Sequence, residues 1–126
     1  RAAGELAEVR LEGRRAWVLA RDAGSLEDPP AAAGVRLLGP GDPLLLGRDR
    51  ETLLPDGAAR KEVWRALGGA GIVLADGRVA GLWRAQKKGK RLVVAVEALA
   101  ELDRGAVRAE GERLAPHRGC TSVELA

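Results

Sequence analysis

Five residues suited to meeting an anion stand close together in this chain: Arg84, Lys87, Lys88, Lys90 and Arg91. The segment 84–91 has no acidic residue, and it holds three of the four lysines in the chain. The whole chain has 21 basic and 18 acidic residues and a net charge of +3. Outside this segment 16 basic residues face 18 acidic ones, so the excess of positive charge is local. Such a cluster suits a phosphate backbone, because each cation displaces a condensed counterion without base-specific geometry. Lysines at a hairpin tip also serve a plainer purpose, keeping strand ends soluble. No aromatic residue lies within the tip, so base stacking is not expected there.

The remaining reactive side chains form no recognisable catalytic group. His117 and Cys120 are the only histidine and cysteine. One of each cannot build a structural zinc site, and no metal or cofactor is expected. Cys120 reads as a small buried or half-buried residue near the end of the chain, not a nucleophile, since no base is placed for it. A single cysteine forms no internal disulfide and fits a reducing, cytoplasmic setting. Ser25 and Ser122 have no recognisable base partner. Gly68-Gly69-Ala70-Gly71 is rich in glycine, but no helix follows it, which weakens a phosphate-cradle reading. Asp42, Arg48, Asp49 and Arg50 form either an acid–base group or, more commonly, an ion-pair knot that fixes a loop.

These residues need a scaffold, and 126 residues suit one core. Phe, Tyr, Met and Asn are absent, and the aromatics are Trp17, Trp64 and Trp83. The bias toward Ala, Gly, Leu, Val and Arg has the look of a GC-rich genome. The sequence starts at Arg1, as a trimmed domain, a processed product or part of a longer protein would. It has neither a signal-peptide pattern nor an apolar run of membrane-spanning length.

The pattern predicts an α+β fold dominated by antiparallel strands. Leu6, Val9 and Leu11, then Glu12-Gly13, then Trp17, Val18 and Leu19 read as a hairpin. Residues 22–34, with Pro29-Pro30, read as a linker or surface loop. A second block starts at Val35 with a short strand through Leu38. Leu44 to Gly47 reads as an apolar turn, and residues 58–67 as a short helix burying Val63, Trp64 and Leu67. Residues 71–75, then Asp76-Gly77, then 79–85 predict a tight hairpin, with Val79, Gly81 and Trp83 on one face. Residues 86–90 read as a flexible basic turn, and 91–98 as a third strand of the meander with Leu92, Val94 and Val96 alternating. A helix over 103–115 with Asp103 as N-cap and a closing strand over 121–125 complete the chain. Trp83 reads as core, not as a stacking platform.

The order of several motifs resembles the winged-helix DNA glycosylases that include AlkZ and YcaQ. The matching residues are Leu37, Leu38, Asp42, Leu45, Leu46, Gly47 and Asp49-Arg50. They continue in Asp76-Gly77, then Gly81-Leu82-Trp83-Arg84, and in Glu110 to Leu114. The stretch from Asp76-Gly77 to Trp83-Arg84 is the most specific, and the resemblance spans roughly residues 6–118. Gly41 and Leu44 stand where the family has an aromatic and a tyrosine, so the loop at Asp42 is expected to be looser than in relatives. The resemblance implies tandem winged-helix units followed by a barrel-like, β-rich C-terminal region. It divides the chain into residues 1–34, the wing hairpin and linker ending a winged-helix unit, and residues 35–126, the C-terminal domain. It further implies excision of alkylated or crosslinked bases from double-stranded DNA. The catalytic Gln-x-Gln or Gln-x-Asp pair of such enzymes is not in this sequence, where Gln86 is the only glutamine. By that implication the chain is inert on its own and holds DNA with a hairpin at or beside residues 79–96. It would act as a bacterial, monomeric, nucleoid-associated protein with no membrane contact.

Two other readings stay open on sequence alone. One is a family member that binds DNA or regulates without repair activity. The other is a small β-rich interaction module with no nucleic-acid partner.

Overall fold

A computed structural model describes residues 4–47 and 49–126. The chain divides into two units, Arg1–Ala31 and Ala32–Ala126. In the first, β1 (Leu6–Leu11) and β2 (Arg14–Leu19) pair antiparallel, with Leu6 opposite Leu19 and Leu11 opposite Arg14. Glu12 and Gly13 have φ of 48° and 78°, as a type I′ turn requires. A short helix α1 (Ala23–Glu27) follows, where a linker was expected. Regular structure stops before Pro29-Pro30, as proline chemistry demands. No described residue of this unit is buried, and Trp17 is exposed. A lone two-stranded hairpin is marginal in water, so this unit has little stability of its own.

The second unit is α+β, with a curled, half-barrel sheet. Its elements are β3 (Val35–Leu38), α2 (Arg50–Leu53), α3 (Gly57–Val63), β4 (Gly71–Ala75), β5 (Arg78–Lys88), β6 (Arg91–Ala98), α4 (Arg104–Leu114) and β7 (Ser122–Leu125). The five strands lie in sequence order. β3 to β6 pair antiparallel, and β7 joins β6 in parallel after crossing over through α4.

Both faces of the sheet bury apolar residues. On one, α4 and the turn after it bring Val107, Ala115 and Cys120 against Val35, Val73, Trp83, Leu92 and Val94. Gly111 allows this approach, because a Cβ there would stand 3.1 Å from a Val123 methyl. Asp103 caps α4 by accepting from the Ala106 amide at 3.1 Å. On the other face, Leu45, Leu54, Ala59 and Val63 pack on Ala70, Ile72 and Leu82. That second cover does not reach the β6–β7 side, where Ala95, Glu97 and Glu124 are exposed.

Three details differ from the sequence reading. α3 stops at Val63, and Leu67 is 87% exposed. The cause is the glycine-rich return, which folds back so that the Ala70 amide donates to the Glu62 carbonyl at 3.0 Å. Val79 does not share a face with Trp83. A register shift beside Ala80 places Val79 opposite Leu74 and against the Leu82 cluster. An extra residue in one strand reverses the alternation beyond it. The basic segment is not a loose turn either. β5 runs through Lys88, leaving Gly89-Lys90 as a two-residue turn. Gly89 at φ 62° supplies the positive angle that a type II′ turn needs at its first central position. No helix among the described residues is long and apolar enough to cross a membrane.

Candidate nucleic-acid interface

The strand that carries Trp83 also carries Arg84, Lys87 and Lys88, and its pleat sorts them to opposite sides. Lys87 lies opposite buried Leu92, on the α4 face of the sheet. Lys88 lies opposite Arg91, on the other face. Like charges directly across a strand pair destabilise it by roughly 0.2–1 kcal/mol, so stability alone does not favour this pairing. Arg91 finds partial relief in Glu124 of β7, at 3.1 Å.

The five cations fall into two groups. Arg84 and Arg91 are held by the protein's own carboxylates. Arg84 binds Glu62 at 2.8 Å and also donates to the Gly68 carbonyl. Arg65 shares Glu62 at 3.3 Å. Lys87, Lys88 and Lys90 are exposed and have no ion pair among the described residues. They are the part of the segment whose charge is not already met.

The backbone beneath them is fixed. The Lys90 carbonyl accepts from the Thr121 amide at 2.7 Å and the Ser122 amide at 3.3 Å. The Lys87 ammonium lies over Gly119, 3.0 Å from where a Cβ would stand. Gly119 itself, at φ 68°, closes the helical segment that follows α4. The tip is therefore held to the chain between α4 and β7. Arg118, one residue from that contact, is exposed and has no side-chain partner among the described residues. Sequence reasoning passed over Arg118, because nothing local links it to a hairpin some thirty positions earlier.

The residues that carry the family resemblance serve the scaffold. Asp42 accepts from the Leu44 amide at 3.0 Å and starts a 3₁₀ turn, Pro43–Leu46, that buries Leu45. Asp42 thus caps the loop in which Gly41 and Leu44 replace the family's aromatics. Arg50 stacks on Trp64, 5.0 Å from the ring centroid, and Trp64 donates to the Leu45 carbonyl at 2.8 Å. Asp49 precedes α2 and is itself engaged; Arg48 lies outside the described residues. Asp76 and Gly77 form a type I′ turn with φ of 51° and 80°. Asp76 also accepts from the Gly34 amide at 2.8 Å, tying the start of β3 to this turn. At Gly81 a Cβ would stand 2.8 Å from the Glu97 carbonyl. Trp83 is 3% exposed and donates to the Leu38 carbonyl at 3.0 Å.

A cavity of about 380 Å³ opens on the uncovered side of the sheet, between Glu62, Leu82, Arg84, Ala95 and Glu97. Its rim holds two carboxylates against one guanidinium that is already paired. It is electrostatically unsuited to a phosphate, in contrast to the lysine tip.

Residues 1–117 match the family model described as DNA glycosylase AlkZ-like. The interstrand DNA cross-link repair glycosylase of Streptomyces sahachiroi is 43% identical over 83 residues, which cover 63% of this chain and 22% of that protein. The solved structure of Streptomyces sahachiroi DNA glycosylase AlkZ aligns with a TM-score of 0.76 at 34% identity. That alignment covers 99% of this chain and 34% of the solved one. The chain thus spans about a third of the length of that structure.

Proposed function

This chain belongs to the AlkZ-like DNA glycosylase family, and we propose that it is the part that holds double-stranded DNA while chemistry is done elsewhere. The observation that carries this reading is the set of unpaired lysines, Lys87, Lys88 and Lys90, on a turn whose backbone is fixed. A fixed turn backbone leaves only the lysine side chains to be ordered when phosphates are met. Its contacts position the duplex and carry no sequence information.

In this reading residues 1–34 are the wing hairpin and linker of a winged-helix unit, and residues 35–126 follow it. The base-excising glutamine pair of the family lies outside these 126 residues. The chain contributes no group to the bond that is cut, and it works as a monomer in the cytoplasm, on damaged DNA. Arg84 and Arg91 support the strand ends and contribute less to DNA contact than the lysines do.

The test is duplex binding by the full-length protein across a salt series. Replacing Lys87, Lys88 and Lys90 together with Ala removes about 2.7 from the slope of log K against log[salt] if each lysine meets one phosphate. Base excision on alkylated DNA falls with it at moderate salt. An unchanged affinity and slope would show that the tip is not the contact.

A further inference from the structure

We infer that the phosphate-binding surface extends from the hairpin tip onto the end of the α4 helical segment, with Arg118 as a further phosphate contact. This rests on the DNA-holding role proposed above and names a second element of the same surface. Three observations lead to it. First, the hydrogen bonds from Thr121 and Ser122 to the Lys90 carbonyl fasten the turn to the chain that leaves this segment. Second, the Lys87 ammonium lies over Gly119, the residue next to Arg118. Third, Arg118 is exposed and has no side-chain partner among the described residues; Arg78 and Arg104 share that state but stand at the far end of β5 and the start of α4, away from the tip, whereas Arg91, Arg108 and Arg113 hold carboxylates or carbonyls.

A cation near a helix C-terminus also complements the helix dipole. Here that need is already met by the backbone. The Gly119 amide donates to the Pro116 carbonyl at 3.1 Å, and the Cys120 amide to the Ala115 carbonyl at 2.9 Å. Lys87 stands over the same end. Among the described residues no carboxylate pairs with Arg118, so a further cation at this end adds like-charge repulsion. A polyanion offsets it. Neighbouring strands lie about 4.8 Å apart, so β5, β6 and the approach to β7 span roughly 10 Å. A duplex has about one charge per 1.7 Å of axis, so that span faces several phosphates.

The experiment measures binding of the full-length protein to a labelled undamaged duplex across a salt series. Arg118→Gln, Arg118→Lys and the triple lysine-to-alanine variant are compared with the parent. The expected result is a slope reduced by about 0.9 for Arg118→Gln and kept by Arg118→Lys. A purely structural role for Arg118 would instead lower thermal stability at unchanged slope, and that result overturns the inference. If the triple variant lowers the slope and Arg118→Gln does not, the inference fails while the hairpin reading stands. If neither does, the hairpin reading fails and the inference with it. If Arg118→Gln alone lowers it, the shared surface is refuted.

Discussion

Lys88→Glu separates a role in binding from a role in folding. Lys88 faces Arg91 directly across the β5–β6 pair. Reversing its charge turns a repulsive cross-strand pair into an attractive one. Each sign contributes roughly 0.2–1 kcal/mol, so the swing lies between about 0.4 and 2 kcal/mol. Glu124 already holds Arg91 at 3.1 Å, and both side chains are half exposed, which places the expected gain near the lower end. About 0.7 kcal/mol corresponds to a roughly threefold rise in protection of the β5–β6 amides from hydrogen exchange. DNA binding moves the other way. Losing one phosphate contact removes about 0.9 from the salt slope, a factor of about 3.5 over a fourfold change in salt. The new carboxylate adds repulsion to this. The assay pairs hydrogen exchange with duplex titrations at two salt concentrations in the full-length protein. Lower protection together with weaker binding would mean that Lys88 is simply part of the fold. Greater protection with unchanged affinity would mean that the tip does not meet DNA.

Other substitutions probe the rest of the design. Arg84→Ala breaks the pair with Glu62 and costs about 0.2–1 kcal/mol in thermal unfolding, yet leaves the DNA salt slope within error of the parent. Trp83→Ala empties the core beneath α4 and lowers stability by about 3–5 kcal/mol, read from denaturant unfolding. Weaker DNA binding at an unchanged unfolding midpoint would contradict the placement of Trp83 in the core. Gly81→Ala presses a methyl on the Glu97 carbonyl and destabilises by about 1–3 kcal/mol, checked by the same unfolding curve.

Local chemistry made much of this fold readable. Glu12-Gly13 and Asp76-Gly77 announce their hairpins because few other residues tolerate both positive φ values. Asp103 announces α4 for a similar reason, since its carboxylate meets an amide three residues on. Alternation in Leu92, Val94 and Val96 marks a strand with one dry face. Long-range effects were hidden. The register shift beside Ala80 depends on how β4 meets β5, and no residue type signals it. The early end of α3 depends on Ala70 returning to Glu62. The cationic cluster was visible as composition, but not its division into Arg84 and Arg91, which are paired, and three lysines, which are not. That division requires knowing that Glu62 and Glu124 arrive from distant elements.

The parallel junction of β6 with β7 sets an order of events in time. β4, β5 and β6 are joined by two-residue turns, and hairpins of that kind close in microseconds. β7 can join only after the intervening crossover, including α4, has been threaded and docked, and pairings of high sequence separation form more slowly. A nascent chain therefore has its cations in place before it has the clasp that aligns them. During refolding, burial of Trp83 is expected to precede the fastening of the lysine tip, and the delay between them measures the arrival of the last strand.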